Sequence, residues 1–197
     1  MTDWLRHEFE VSGRPAEVAA FREAAAGCNI VPWQLDLAAG EETWFLLAMR
    51  GAPQLGAPGA RALAAQLRAA ADARHGTLAA WIGRNRACLL DLHALVPVPP
   101  DILRRGPDDP ASRAWLWANW GTTEVLRHVR ELPARPGRGS PKNPSDFWGR
   151  PRRRGLARFR LEFYAADWTP WRAILAMRAR WPALRFTVWP DYASGAP

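Results

Sequence analysis

Among the 27 basic residues of this chain only one, Lys142, is a lysine. With its heavy use of alanine, this matches a GC-rich coding bias, so an arginine standing in for lysine carries no special chemistry. Cysteine is scarce too. Cys28 and Cys88 have no C-x-x-C neighbour, and His7, His75, His93 and His128 are scattered, so no zinc spacing is present. Two cysteines in 197 residues make no disulfide framework and are expected to be reduced, buried thiols of a cytoplasmic protein. No uncharged run approaches the ~20 residues of a membrane span. Met1-Thr2-Asp3-Trp4-Leu5-Arg6 has no basic region followed by an apolar stretch, which argues against a signal peptide. A Gly-rich phosphate loop and a nucleophile with its base are also missing. No cofactor or metal is therefore expected, and an enzyme is the least favoured class.

What is present is a folded chain. Apolar residues make up 48%, and 197 residues suffice for one domain with a sizeable core and insertions. The formal charge is +8, and its placement matters more than its size. Residues 127–160 hold eleven basic side chains against Glu131 and Asp146, a local +9; the remainder, with 16 basic and 17 acidic residues, carries −1. A field so localised attracts polyanions.

The apolar periodicity supplies the elements. Leu5, His7, Phe9 and Val11 alternate with Arg6, Glu8 and Glu10, the period of a half-buried strand. Ser12-Gly13 turns it, and Pro15 opens a helix carrying Val18, Phe21 and Ala25, closed at Gly27. Trp44 to Met49 reads as a buried strand, and 51–58 as a loop. Ala60, Leu63, Ala64, Leu67, Ala70 and Ala71 form a helical stripe, and 77–83 fits helix or strand. Ala87 to Val96 reads as an apolar strand ended by Pro97-Val98-Pro99-Pro100. Asp109-Pro110 starts a helix to about Asn119, and Thr123 to Val129 suits a short strand. Pro133 to Gly155, rich in Pro, Gly, Ser and Arg, suits a mobile loop. Phe159, Leu161 and Phe163 then alternate with Arg158, Arg160, Glu162 and Tyr164. A helix from Thr169-Pro170 carries Trp171, Ile174, Met177 and Trp181, and Leu184, Phe186 and Val188 alternate with Arg185, Thr187 and Trp189 in a last strand.

The first and last thirds thus each read strand–helix, each helix feeding a further strand. Together they predict an α+β, ferredoxin-like split βαβ sandwich: a four-stranded antiparallel sheet with helices on one face, in a single domain spanning 1–197. Insertions are expected at about 28–86 and 97–155.

Two stretches go beyond periodicity. Trp117-Ala118-Asn119-Trp120-Gly121-Thr122 resembles the W-x-x-W-G-T signature of the YubB-type ferredoxin-like domain family of plasmids and phages, and Ala165-Ala166-Asp167-Trp168-Thr169-Pro170 is similar to its T-x-W-S-P-P motif. Leu95-Val96-Pro97-Val98-Pro99 and Trp181-Pro182-Ala183-Leu184-Arg185-Phe186 resemble its I-P-x-P and F-P-x-L-x-F segments, in matching order. The likeness spans roughly 1–26 and 87–192. The family continues W-G-T with a lysine and a tryptophan, where this chain has Thr123 and Glu124, so no role for that lysine carries over. The resemblance implies a fold and a mobile-element setting. It brings no activity, because the family is largely uncharacterised.

Strand parity defines the leading candidate surface. With Leu5, Phe9, Val11, Phe159, Leu161 and Phe163 inward, the opposite face gathers Trp4, Tyr164 and Trp189 with Arg6, Arg158, Arg160 and Arg185. Single-stranded nucleic acid needs flat π surfaces for its bases and cations for its phosphates. The competing reading has the 28–86 insertion covering this face. The basic segment, above all Arg150, Arg152, Arg153, Arg154, Arg158 and Arg160, is the second candidate, able to neutralise phosphates without reading sequence. Trp115, Trp117, Trp120 and Trp168 are expected to fill space between helix and sheet, a ligand pocket being the alternative. Asp91 and His93, two apart, could form an acid–base pair. No partner group accompanies them, so a structural role is favoured, as it is for His7. The expected function is non-catalytic binding of single-stranded DNA or RNA. The alternative is a protein-interaction module acting on a host defence or replication protein.

Overall fold

The computed structural model describes residues 3–34, 36–133 and 156–192. Its elements are β1 (Trp4–Gly13), α1 (Pro15–Ala25), α2 (Leu37–Gly51), α3 (Gly56–Arg84), α4 (Leu92–Leu95), α5 (Pro100–Leu103), α6 (Pro110–Asn119), β2 (Arg127–Glu131), β3 (Ala157–Ala166), α7 (Trp171–Arg180) and β4 (Arg185–Asp191). Pro15, Pro100 and Pro110 sit in the first turns of α1, α5 and α6, where the missing N–H costs nothing. Asp36, Asp91 and Asp109 cap α2, α4 and α6 by accepting main-chain N–H groups.

The chain is α+β. Its open four-stranded sheet has the order β2-β3-β1-β4, and every neighbouring pair is antiparallel. β1 and β3 pair along their whole length, from Trp4 opposite Ala166 to Gly13 opposite Ala157. The inward side is as the alternation predicts. His7, Phe9, Val11, Phe159, Leu161 and Phe163 are buried, meeting Val18 and Phe21 of α1 and Ala173, Ile174 and Met177 of α7 in one core. Rings interlock there: Phe21 meets Trp181 and Phe186 edge-on, with centroids 5.2 and 5.3 Å apart.

Three local expectations are corrected. Trp44 to Met49 is not a buried strand but part of α2, with Leu46 and Leu47 exposed. The Asp36 cap and the helix formers Leu37, Ala38, Ala39, Glu41 and Glu42 decide the element, and an apolar run alone does not separate the two states. Residues 51–58 are not simply a loop: they hold a 3-10 turn, Pro53–Leu55, and the start of α3, which continues through 77–83. Ala87 to Val96 forms only one bridge, Cys88 to Gly27, before α4. Asp91 takes the His93 and Ala94 N–H groups at 2.8 and 3.4 Å, and that local bonding replaces a strand ladder. Gly27 makes the bridge feasible, since a Cβ there would overlap the Asp91 carboxylate. The short strand expected over 123–129 lies slightly later, as β2, with a bulge between Arg127 and Arg130 where His128 adopts φ 52°.

Candidate functional site: the open sheet face

Register and parity lay the outward side chains in four rungs. Asp191, Arg6, Tyr164 and Arg127 form the first, and Trp189, Glu8, Glu162 and Arg130 the second. Thr187, Glu10 and Arg160 follow, and Arg185, Ser12 and Arg158 close the series. α2 and α3 pack on each other and approach none of the strands, and Arg158, Arg185 and Trp189 on this face are exposed.

Most of its arginines are committed to carboxylates. Glu162, 1% exposed, accepts from Arg6 Nε at 2.9 Å and from Arg130 Nε at 2.8 Å. Burial alone would raise its pKa, but the two guanidinium groups outweigh burial and hold the carboxyl below its usual range. Glu162 in turn raises Arg6. Arg160, 7% exposed, donates to Glu8 at 2.8 Å and to the Pro133 carbonyl at 2.7 Å, and lies 3.7 Å from Glu10. Arg127 stacks over Trp4 at 3.8 Å and bonds Glu124 at 3.2 Å.

The rung at the far end is different. Arg158 and Arg185 flank Ser12, both are exposed, and neither pairs with a carboxylate among the described residues. Trp189, on the same face as Arg185, is 38% exposed. Tyr164 is half-buried at the opposite end, edge-on to His128 at 5.7 Å. The structure therefore gathers Arg158, Arg160 and Arg185 toward one end of the sheet and sets Tyr164 apart, six residues or ~20 Å along β3. Arg150, Arg152, Arg153 and Arg154 lie outside the described residues, as does most of the expected mobile loop 133–155. Glu8, Glu10 and Glu162, which decide how many arginines stay available, were legible by parity: they share the outward phase of Arg6 and Arg158.

The tryptophans do not form one cluster. Trp120 is fully buried, bonds the Val96 carbonyl through Nε1 at 2.9 Å and meets Trp115 edge-on at 6.2 Å. Trp117 and Trp168 are about half exposed. Trp120 borders a cavity of about 550 Å³ with Asn29, Trp33, Leu116, Glu124 and Asp167. The turn that follows it is built, residue by residue, to join layers. Gly121 takes φ 80°, Thr122 donates to the Ala166 carbonyl at 2.9 Å, and Thr123 to Asp167 at 2.7 Å.

The Asp91 and His93 side chains each bond main-chain groups. Asp91 also accepts from the Asn29 N–H at 2.8 Å, while His93 Nδ1 accepts from the Val98 N–H at 3.1 Å, which needs a neutral ring. Burial lowers the His93 pKa in agreement. His7 is fully buried and satisfied. Its Nδ1–H donates to the Leu5 carbonyl at 2.8 Å, leaving Nε2 to accept from the Thr169 hydroxyl at 2.8 Å. Among the described residues no group of His, Cys, Asp or Glu could hold a metal ion, and no helix is long and apolar enough to cross a membrane. Compared with family models, curated proteins and solved structures, the chain gives no match.

Proposed function

We propose that this chain binds single-stranded DNA or RNA without catalysis, through the Arg158–Ser12–Arg185 end of its open sheet face and the arginines that precede Arg158. The observation that carries the reading is that end rung: two exposed arginines that pair with no carboxylate among the described residues. Arg150, Arg152, Arg153 and Arg154 lie within eight residues of Arg158 in the chain and belong to the same basic segment. Trp189 supplies a flat surface for a base on the same face. The rest of the face contributes little net charge, since its carboxylates engage Arg6, Arg130 and Arg160.

The finer assignment of the fold belongs to this proposal. The order β2-β3-β1-β4, with α1 following β1 and α7 joining β3 to β4, supports a ferredoxin-like arrangement. Together with the W-G-T and W-T-P stretches it supports placing the chain near the YubB-type family and in a phage or plasmid setting.

The test is a titration of labelled single-stranded DNA and RNA at several salt concentrations. The double substitution Arg158→Glu and Arg185→Glu should weaken binding at least tenfold at low salt. It should also flatten the salt dependence by about 1.4 in slope, about 0.7 for each phosphate that is no longer neutralised. Arg178→Glu, on the helix layer, is the control and should leave both unchanged. Equal affinity for the double variant and the wild type would refute the reading. A partner retained from lysate after nuclease treatment would favour the protein-binding alternative.

A further inference from the structure

A cavity of about 550 Å³ opens between the chain that follows α1, the start of α6 and the turns that carry the W-G-T and W-T-P stretches. Its floor is apolar. Val31, Leu116 and Trp120 are buried there, and Trp33 is half-buried. Trp120 spends its N–H on the Val96 carbonyl, so it offers the cavity its ring alone. An apolar concave space of this volume with a few polar groups in its wall is the usual form of a small-ligand site. The cavity reaches Asp167, just past the end of β3 and nine residues or ~30 Å along the chain from Arg158. It is therefore separate from the rung proposed to hold nucleic acid.

The polar groups of the wall select among ligands. Asp108 pairs with Arg113 at 3.4 Å and Glu124 with Arg127 at 3.2 Å, so those charges are met. Asp167 is not met in this way. Its Oδ2 accepts from the neutral Thr123 hydroxyl at 2.7 Å, and no cation pairs with it among the described residues. Asn29 donates through its side-chain NH2 to the Leu126 carbonyl, but its Oδ1 is buried with no donor among the described residues. A buried acceptor left unpaired is costly and uncommon. The two unmet groups of this wall are thus both acceptors, and one of them is a full negative charge. We infer that the cavity binds a small organic cation, an ammonium group carried on an apolar body.

Each part of such a ligand has a counterpart. An ammonium has three donors and no acceptor, which suits a wall whose unmet groups only accept. Its bond to the Asp167 carboxylate is charge-assisted, and so stronger than a bond between neutral groups. The indole rings of Trp33 and Trp120 attract a cation over their faces and cover the apolar body. An anion of the same shape is repelled by Asp167 and leaves Asn29 Oδ1 unpaired. A neutral alcohol leaves the Asp167 charge unmatched. Two sources carry the selected chemistry, a free amine and the lysine side chain of a peptide. The inference goes beyond nucleic-acid binding and does not depend on it.

The test is calorimetric titration of the full chain at neutral pH and low salt with three probes of one shape: 2-phenylethylammonium, 3-phenylpropionate and 2-phenylethanol. The cation should bind saturably at millimolar concentration or below, and at least tenfold more tightly than the other two. Asp167→Asn removes the charge, keeps an oxygen for Thr123, and suits the left-handed φ of 63° at that position. It should weaken the cation at least tenfold while leaving the melting temperature and the binding of labelled single-stranded DNA as in the wild type. Arg185→Glu, in the nucleic-acid rung, should leave the cation's affinity unchanged. A further titration with Nα-acetyl-lysine methylamide separates the sources: tighter binding than 2-phenylethylammonium assigns the ammonium to a peptide, and weaker binding to a free amine. No saturable binding of either ammonium overturns the inference. So does equal affinity for 3-phenylpropionate, and so does a cation affinity indifferent to Asp167→Asn.

Discussion

His7 shows how much one buried residue can set. Its ring nitrogens meet the Leu5 carbonyl and the Thr169 hydroxyl, and it stacks on Phe163 at 5.1 Å. Burial pushes its pKa from 6.5 down to about 4. The unfolded chain therefore binds the extra proton first, and stability rises with pH across that window. The contribution, about 3 kcal/mol, is complete above pH 6.5 and is lost as the pH falls from 6.5 toward 4. Thermal melts over that range should show the decline, and His7→Gln should flatten it. Gly121 is a second case at this scale. Its φ of 80° is left-handed, its N–H closes α6 on the Trp117 carbonyl at 3.1 Å, and a Cβ would sit 3.2 Å from the Trp171 nitrogen. Gly121→Ala should cost about 2 kcal/mol in chemical denaturation, because the strained backbone and the crowding act together.

At the scale of elements, Glu162 is where three strands meet electrostatically. It sits on β3 and holds Arg6 of β1 and Arg130 of β2. Replacing Glu162 with Gln keeps the shape and removes the charge that both guanidiniums face. The expected loss is about 2 kcal/mol, less than for a fully buried pair, because Arg6 and Arg130 retain access to water. Denaturant unfolding checks it. A loss near zero would mean the arginines are as well served by solvent. Strand parity placed Arg6 and Glu162 on one face from the sequence alone, while Arg130 lay beyond the strand expected over 123–129. It could not pair them, because pairing depends on register across β1, β2 and β3, which periodicity does not carry. The element errors have a similar origin. The Trp44 to Met49 run and the Ala87 to Val96 run are both apolar, and neither alternates. Their states were decided by Asp36 and Asp91, whose side chains cap helices by bonding nearby main-chain N–H groups.

For the whole molecule, the sheet with α1 and α7 is the body, and α2–α3 is an attachment. The hairpin contributes no residue to the central core except through the segment before it, where Val31 is buried. Replacing 37–84 by a flexible linker should therefore leave the sheet's circular dichroism signal and a cooperative melt, with the melting temperature within a few degrees of the wild type. Collapse of the fold would show that the hairpin supports the body.

The sequence by itself determined the α+β class and the inward and outward phase of three strands, because period two and period 3.6 are local properties of the chain. It also placed the charge, since the +9 of residues 127–160 is a matter of counting. Only the tertiary structure decided which of those charges are available. Arg160 lies in the basic segment yet is held by Glu8, 152 positions away, while Arg158, two residues earlier, faces Ser12 and stays exposed. Whether an arginine is spent on a carboxylate is a property of strand register. Register is a long-range fact that no local pattern in the chain records.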